Sequence, residues 1–256
     1  MLNRLKHLLR TRLGQDRMLD LYYYPRERLL RAAGLFAPAV KPEQVAVVSM
    51  WDARQADLAA ITSPNKAAYC SRWGYHWIPR TSGFDPARPV AWSKLRFIQE
   101  ALSSHAWVFW SDPDSLITNP ALSLAPLLRT RAGIIITRDQ VGYNSGSFLL
   151  RRCPWTLAFL ETAWDFPATD EYRSEYDLHT DRLWENRAID LLLRKKHHRS
   201  QVRVVRQNRL NSYLPALTAC DPEGAYRPGD FVLHLPGVAH ETRLRELSAR
   251  AAALAP

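Results

Sequence analysis

The chain has 256 residues, of which 46% are apolar and 11% aromatic; this composition excludes a disordered chain and favours one large globular domain. Its 35 basic and 25 acidic residues give a net charge of +10, which suits nucleic acid, an anionic membrane surface or a phosphate-bearing ligand. No stretch approaches the roughly 20 apolar residues of a membrane span. The three cysteines form no CxxC pair, so neither a zinc site nor a disulfide framework is indicated.

Much of the basic surplus lies in residues 1–31 and 194–199. Leucines and cations alternate at helical spacing in residues 1–10, which predicts a basic helical segment over residues 1–40. That helix either lies on anionic lipid or packs on the domain as an ordinary surface helix. The second basic segment, residues 194–199, is typical of a solvated helix end and the loop after it. Because no recognisable nucleic-acid module accompanies the charge, we expect no nucleic-acid partner.

The segment from Pro38 to Pro42 indicates a break in the chain, and we expect one globular domain over residues 41–256. Short apolar runs predict strands, and helical patterns lie between them. The predicted strands are 45–50, 74–79, 106–110, 133–137, 146–150, 202–205 and 231–234. The predicted helices are 54–73, with Ser63-Pro64 as a candidate break, 92–103, 155–164 and 187–193. This alternation favours an α/β fold with a mostly parallel sheet flanked by helices, and a ligand beyond the carboxyl ends of its strands.

Asp112 and Asp114 follow the apolar run 106–110 directly. Two carboxylates one residue apart can converge on one hard cation, and Mg²⁺ and Mn²⁺ prefer such oxygen ligands together with those of a substrate diphosphate. The alternative is a pair of aspartates that caps a turn. Placing both carboxylates after a buried strand is costly without a cation, which favours the metal site.

Two further segments carry candidate site residues. His234 ends a predicted strand and Gly237 follows three residues later, so the imidazole is a candidate third metal ligand and the glycine a place where the backbone can approach phosphate. The alternative is an ordinary packed or surface histidine. Asn144 and Ser145 lie on a predicted tight turn, where small polar groups suit sugar hydroxyls but equally form plain turns.

Six segments occur in an order that resembles the donor-site core of glycosyltransferase family 34, which includes fungal α-galactosyl- and α-mannosyltransferases and plant xyloglucan xylosyltransferases. They span roughly residues 45–240 and are 65–74, 91–95, 107–120, 142–151, Trp155 and 229–237. The resemblance implies a GT-A fold, a nucleotide-sugar donor, Mn²⁺ or Mg²⁺, and retention of the anomeric configuration.

By position, the resemblance also implies roles for individual residues. The implied metal ligands are Asp112, Asp114 and His234; the implied nucleotide and diphosphate residues are Tyr69, Lys94 and Gly237; the implied donor-sugar residues are Asn144 and Ser145. The family has phenylalanine-alanine between the late histidine and glycine, whereas this chain has Leu235-Pro236.

Retaining transfer needs an oxygen-bearing group that stabilises positive charge near the anomeric carbon. The family has an acidic residue followed by glutamine before an apolar helix, and this chain has Glu185-Asn186 before residues 187–192. We therefore predict Glu185 and Asn186 as catalytic residues. The alternative is simple polarity at a helix N-terminus.

Together these features predict a retaining, metal-dependent transferase that moves a hexose or pentose from a nucleotide-sugar, UDP-linked rather than GDP-linked, to a glycan or lipid-linked acceptor in polysaccharide biosynthesis. Eukaryotic members carry a membrane anchor and lumenal stem that this sequence lacks, so we expect a bacterial-type, cytoplasmic relative. If its basic N-terminal helix lies on anionic lipid, it could bring the protein to lipid-linked acceptors at the inner membrane face. The altered Glu185-Asn186 pair leaves one alternative, a relative that binds a nucleotide-sugar without turnover.

Overall fold

The computed structural model describes residues 38–218 and 222–254. The predicted basic helix over residues 1–40 therefore lies outside the described residues, apart from its last three positions. Within the described ranges, no helix is both long and apolar enough to cross a membrane.

The strands form one large sheet and one small sheet. In chain order they are β1 Val45–Met50, β2 His76–Arg80, β3 Trp107–Ser111, β4 Ser115–Ile117, β5 Ile134–Arg138, β6 Tyr143–Arg151, β7 Val202–Val204 and β8 Val232–His234. The large sheet has the order β2-β1-β3-β6-β5-β7, with β6 antiparallel to β3 and β5 and the other pairs parallel. This arrangement confirms the predicted mostly parallel sheet. Strands β4 and β8 pair antiparallel in the small sheet.

Helices flank the large sheet. They are α1 Ala56–Trp73, α2 Ser93–Ser104, α3 Ala125–Leu128, α4 Pro154–Asp165, α5 Asp170–Arg173, α6 Trp184–Arg194 and α7 His240–Leu254. The candidate break at Ser63-Pro64 is wrong, because α1 continues through Pro64 to Gly74, whose left-handed φ of 70° ends the helix. Packing of α1 against β2, β4 and α7 offsets the hydrogen bond that the proline removes.

The apolar runs of the strands are explained by burial on both faces of the large sheet. Along β3, Val108 and Trp110 join the core beneath α2, α4 and α6, whereas Trp107 and Phe109 join the core on the opposite face. A strand that is buried on both faces has a continuous apolar sequence, and β3 could be predicted for this reason. A third cluster, made of Leu58, Leu116, Leu233, Leu235 and Leu247, fixes the small sheet against α1 and α7.

The predicted turn at Asn144-Ser145 is wrong, because both residues belong to β6. At this end of β6, Tyr143 pairs with Arg138 and Asn144 with Thr137 of β5, whereas β3 pairs with β6 only from Ser147 onward. Pairing with β5 therefore holds a segment whose local composition favours a turn. The small sheet places Ser115 opposite His234. Together, β6 and the small sheet bring the segment after β3 next to the end of β8.

Truncating one buried leucine tests how strongly α7 holds the small sheet. Leu247→Ala removes a fully buried side chain and should lower the free energy of unfolding by about 2–5 kcal/mol in urea denaturation. Leu254→Ala, on the same helix but 37% exposed, should change it by less than about 0.5 kcal/mol. Equal effects of the two substitutions would show that α7 is not anchored through Leu247.

Candidate active site

Asp112, Asp114 and His234 form a compact group of potential metal ligands. One ligand atom of each lies within 4.8 Å of the others. Asp112 and Asp114 lie in the turn that follows β3, and His234 is the last residue of β8. Asp114 and His234 are buried, and the Asp112 side chain is 24% exposed. Two carboxylates and one imidazole suit a divalent cation that accepts oxygen and nitrogen ligands.

The imidazole of His234 is oriented by a relay of carboxamides. The backbone N–H of Gly146 donates to Asn144 Oδ1 at 2.9 Å, and Asn211 Nδ2 donates to the same oxygen at 2.9 Å. Asn211 Oδ1 must then be the atom that lies 2.8 Å from His234 Nδ1, so Nδ1 carries a proton and donates. Nε2 is therefore the nitrogen that faces Asp114, at 3.2 Å from Oδ1. The relay selects the tautomer that a metal site needs.

Gly146 leaves the space that the His234 ring occupies. A Cβ at this position would overlap Cε1 of His234 and lie 2.9 Å from both ring nitrogens. The carbonyl of Gly146 also accepts a 2.8 Å hydrogen bond from the amide of Asp112. The strand β6 therefore approaches both ligand-bearing segments at a residue without a side chain.

Lys94 lies between the acidic turn and Glu185. Its Nζ is 3.1 Å from Asp112 Oδ1 and 2.5 Å from Glu185 Oε1, and it donates to the Ser145 carbonyl at 3.3 Å. Burial alone would lower the pKa of Lys94, but the charges of Asp112 and Glu185 raise it. The ammonium therefore stays charged and compensates both carboxylates.

Two further basic residues support the acidic turn. Lys66 is fully buried on α1 and donates to the carbonyl of Asp112 at 2.7 Å, and burial lowers its pKa to about 7. Arg243 on α7 places Nη1 3.1 Å from Asp114 Oδ2. Burial would raise the pKa of Asp114, but the charge that His234 carries when both ring nitrogens are protonated and the Arg243 guanidinium lower it and keep the carboxylate ionised.

The start of α6 contributes Glu185 and Asn186. Asn186 Oδ1 accepts hydrogen bonds from the backbone N–H of Ser145 at 2.7 Å and from its hydroxyl at 2.8 Å. Because a backbone N–H can only donate, the carboxamide oxygen is committed to Ser145 and the NH₂ group is the part left for a ligand. Glu185 is buried, and its Oε2 accepts no hydrogen bond from the described residues. Burial raises the pKa of Glu185, and Lys94 opposes the shift.

Apart from Lys66 and Asn211, these residues line one cleft of ≈ 1010 Å³. Of the predicted site residues, the cleft brings together Lys94, Asp112, Asp114, Asn144, Ser145, Glu185, Asn186, His234 and Gly237. Tyr69 is a correction, because it is buried in the core and its hydroxyl donates to the Leu122 carbonyl at 2.9 Å, away from the cleft. Its apolar ring packs between Tyr75 and Phe231.

Sequence reasoning missed Asn211, Arg243 and Lys66. Asn211 lies in an irregular segment between β7 and β8, and Arg243 lies on a helix that the pattern did not predict. Lys66 belongs to a segment already singled out, but nothing in a helical pattern marks a lysine as buried. None of the three carries a local signal, because each acts through a contact between segments distant in sequence.

Comparison with solved structures defines the class of fold. The chain superposes on a glycosyltransferase involved in the glycosylation of the major capsid of PBCV-1 with a TM-score of 0.60, at 16% identity, covering 80% of this chain and 98% of that one. It superposes on galactosyltransferase LgtC, in complex with donor and acceptor sugar analogs, with a TM-score of 0.56, at 14% identity, covering 82% and 96%. The fold is thus that of the GT-A glycosyltransferases.

Sequence comparison then gives the family. The model of the galactosyl transferase GMA12/MNN10 family matches residues 43–129 and 128–244, so the chain belongs to this family, glycosyltransferase family 34. An alpha-1,2-galactosyltransferase of Schizosaccharomyces pombe, described as uncharacterized, is 27% identical over 75% of this chain and 66% of its own length. Galactomannan galactosyltransferase 1 of Cyamopsis tetragonoloba is 30% identical over 42% of this chain and 28% of its own length. The chain thus spans only part of the curated relatives that it matches.

Removing the carboxamide that orients His234 tests the relay. Asn211→Ala leaves Nδ1 without its acceptor, and we expect the affinity for Mn²⁺ to fall about 10–100-fold, as is typical when an outer partner of a metal ligand is lost. Isothermal titration with Mn²⁺ in the presence of UDP measures this change.

The matched control is Asn119→Ala, whose carboxamide donates to the Gly229 carbonyl outside the cleft. Its affinity for Mn²⁺ should equal that of the parent chain. An unchanged affinity in Asn211→Ala would show that His234 does not need the relay.

Proposed function

We propose that the chain is a metal-dependent, retaining glycosyltransferase that moves a hexosyl or pentosyl group from a UDP-sugar to a glycan acceptor. The observation that carries this proposal is the group of Asp112, Asp114 and His234, whose ligand atoms lie within 4.8 Å of one another in the cleft. A bound Mn²⁺ or Mg²⁺ would neutralise the charge that develops on the departing diphosphate.

The remaining residues supply positioning and charge. Lys94 compensates Asp112 and Glu185, and its ammonium lines the cleft where a diphosphate would meet the acidic turn. Gly237 lines the cleft with a left-handed φ of 69°, and a Cβ there would meet nothing within 4 Å. The open backbone at Gly237 suits close approach of a phosphate group.

Glu185 is the residue best suited to stabilise positive charge on the donor sugar. It combines a carboxylate held near Lys94 with a buried oxygen that no described residue satisfies. Asn186 would donate its NH₂ group to a sugar hydroxyl, since its oxygen is committed to Ser145. In the transfer, the acceptor oxygen bonds to the anomeric carbon, the bond from that carbon to the diphosphate breaks, and the hydroxyl proton passes to a diphosphate oxygen.

The names of the relatives guide the choice of donor. Two of them are galactosyltransferases, so UDP-galactose is the first donor to test. The glycan acceptor could be linked to a lipid at the inner face of a membrane. Leucines and cations alternate in residues 1–10, a pattern typical of a helix that lies on anionic lipid.

A non-catalytic relative that binds a nucleotide-sugar is the second candidate. The observation that favours it is the commitment of the Asn186 oxygen to Ser145, which removes one oxygen from the neighbourhood of the donor sugar. Metal-dependent binding of UDP-sugars without hydrolysis or transfer over a broad acceptor panel would support this candidate.

Neutralising the acidic turn tests the dependence on metal. Asp112→Asn and Asp114→Asn should each lower Mn²⁺-dependent hydrolysis of UDP-galactose at least about 100-fold, because the cation loses a charged ligand. Asp170→Asn, which removes an exposed carboxylate on α5, should leave the rate unchanged. Full activity in excess chelator, or in both cleft variants, would contradict the proposal.

Glu185→Gln separates catalysis from donor binding. We expect kcat to fall about 100-fold or more while the KM for the donor changes little, because the carboxylate acts mainly on charge in the transition state. Steady-state kinetics of donor hydrolysis give both quantities.

Glu161→Gln is the matched control, since Glu161 also pairs with a basic residue, Arg96 at 2.7 Å, but lies outside the cleft. Both constants should stay at the parent values in this variant. A rise in KM without loss of kcat in Glu185→Gln would assign Glu185 to donor binding alone.

A further inference from the structure

Trp184 combines an unusual backbone with an exposed ring. It is the first residue of α6 and has a φ of 44°, the one positive φ at a non-glycine residue in the described chain. This left-handed region is costly for a bulky L-residue and persists only where the surroundings enforce it.

The residues on both sides of Trp184 enforce this conformation. Before it, the amide of Leu183 donates to the Asp181 carboxylate at 3.0 Å, and the amide of Trp184 donates to the Asp181 carbonyl at 3.1 Å. After it, Glu185 is held by Lys94 and Asn186 by Ser145. The site and the preceding turn thus hold Trp184 in a backbone conformation that is unfavourable for a bulky residue.

The ring of Trp184 is left open by the fold. The residue is 42% exposed and lines the cleft, whereas the other exposed large apolar residues, Leu122, Val141, Leu157 and Leu254, lie outside it. Within residues 38–218 and 222–254, the indole makes no ring contact, and its N–H donates to no other group. An exposed indole offers a large apolar face at low cost in conformational entropy.

We propose that Trp184 is the platform for the acceptor: a neutral pyranose ring of a glycan, whose C–H face packs on the indole. This inference rests on the proposed function, and it names the part of the cleft that the donor does not fill. The diphosphate end of the donor belongs at Asp112, Asp114 and His234. Glu185, the next residue in the chain, reaches that end through Lys94.

Trp184 therefore lies next to the reacting end of the donor but remains open to solvent. A sugar that stacks there enters from the mouth of the cleft and brings a hydroxyl toward the anomeric carbon. Arg182, exposed and lining the same cleft, adds hydrogen-bond donors for sugar hydroxyls. Acceptor sugars would thus be distinguished by the C–H face that packs on the indole and by the hydroxyl groups that Arg182 can bind. Neither contact requires a negative charge on the acceptor.

The test measures binding of neutral oligosaccharides to the chain loaded with UDP and Mn²⁺. Cellotetraose, β-1,4-mannotetraose and lactose are titrated by calorimetry against the parent chain, Trp184→Asn and Trp184→Phe. We expect at least one sugar to bind the parent chain. Its Kd should rise about tenfold or more in Trp184→Asn and less in Trp184→Phe, which retains an aromatic face.

Asparagine tolerates the left-handed region, so Trp184→Asn should keep or raise the melting temperature while it removes the platform. The Kd for UDP with Mn²⁺ should stay unchanged. Leu157→Ala is the control, because Leu157 is a similarly exposed apolar residue outside the cleft, and this variant should bind the sugar as the parent chain does.

Three results would overturn the inference: no sugar of the panel binds the loaded parent chain, Trp184→Asn binds as tightly as the parent, or Trp184→Asn loses affinity for UDP instead. The last would place the ring against the donor. Failure of the proposed function gives a different result, because the parent chain would then not bind UDP in a Mn²⁺-dependent manner.

Discussion

The rest of the structure depends on the compensation of buried negative charge after β3. Asp114 and Glu185 are almost wholly buried, and Asp112 is only partly exposed. Unpaired carboxylates in such surroundings would be strongly destabilising, so each needs a cation or hydrogen-bond donors. Lys94 and Arg243 contribute cations from α2 and α7, and Lys66 on α1 donates a hydrogen bond to the carbonyl of Asp112. The acidic turn therefore draws three helices together, and a ligand that brings a divalent cation and a diphosphate would replace part of this internal pairing.

The second constraint is the position of His234. Its ring is confined by Gly146 on β6, oriented by Asn211, and brought beside Asp114 by the pairing of β4 with β8. The segment after β3 of the central sheet supplies the carboxylates and the small sheet supplies the imidazole, so the candidate ligand group forms only when both sheets are in place. The leucine cluster beneath the small sheet thereby supports the chemistry of the cleft, and the amide of its Leu235 donates to the Asp114 carbonyl at 3.1 Å.

Much of the fold and the candidate metal-ligand set could be predicted from the sequence because the signals are local. The strand β3 is apolar on both faces, so its end, and hence Asp112 and Asp114, could be placed by pattern alone. The prediction for Tyr69 was wrong because a position in a matching segment does not say whether a ring faces the cleft or the core. The turn expected around Asn144 was wrong because pairing with β5 overrides local composition. Helix α7 was missed because it buries little beyond Leu247, so its apolar pattern is weak.

The central claim is that Asp112, Asp114 and His234 hold one divalent cation together with the donor diphosphate. A crystal structure with Mn²⁺ and UDP, with anomalous diffraction measured at the manganese edge, tests it most directly. We expect one anomalous peak within coordination distance of a carboxylate oxygen of each aspartate and of Nε2 of His234, bridged to diphosphate oxygens, with Arg243 displaced from Asp114 or turned toward phosphate. A peak elsewhere in the cleft, or UDP bound while Arg243 still holds Asp114 and no manganese lies between the three side chains, would contradict the account.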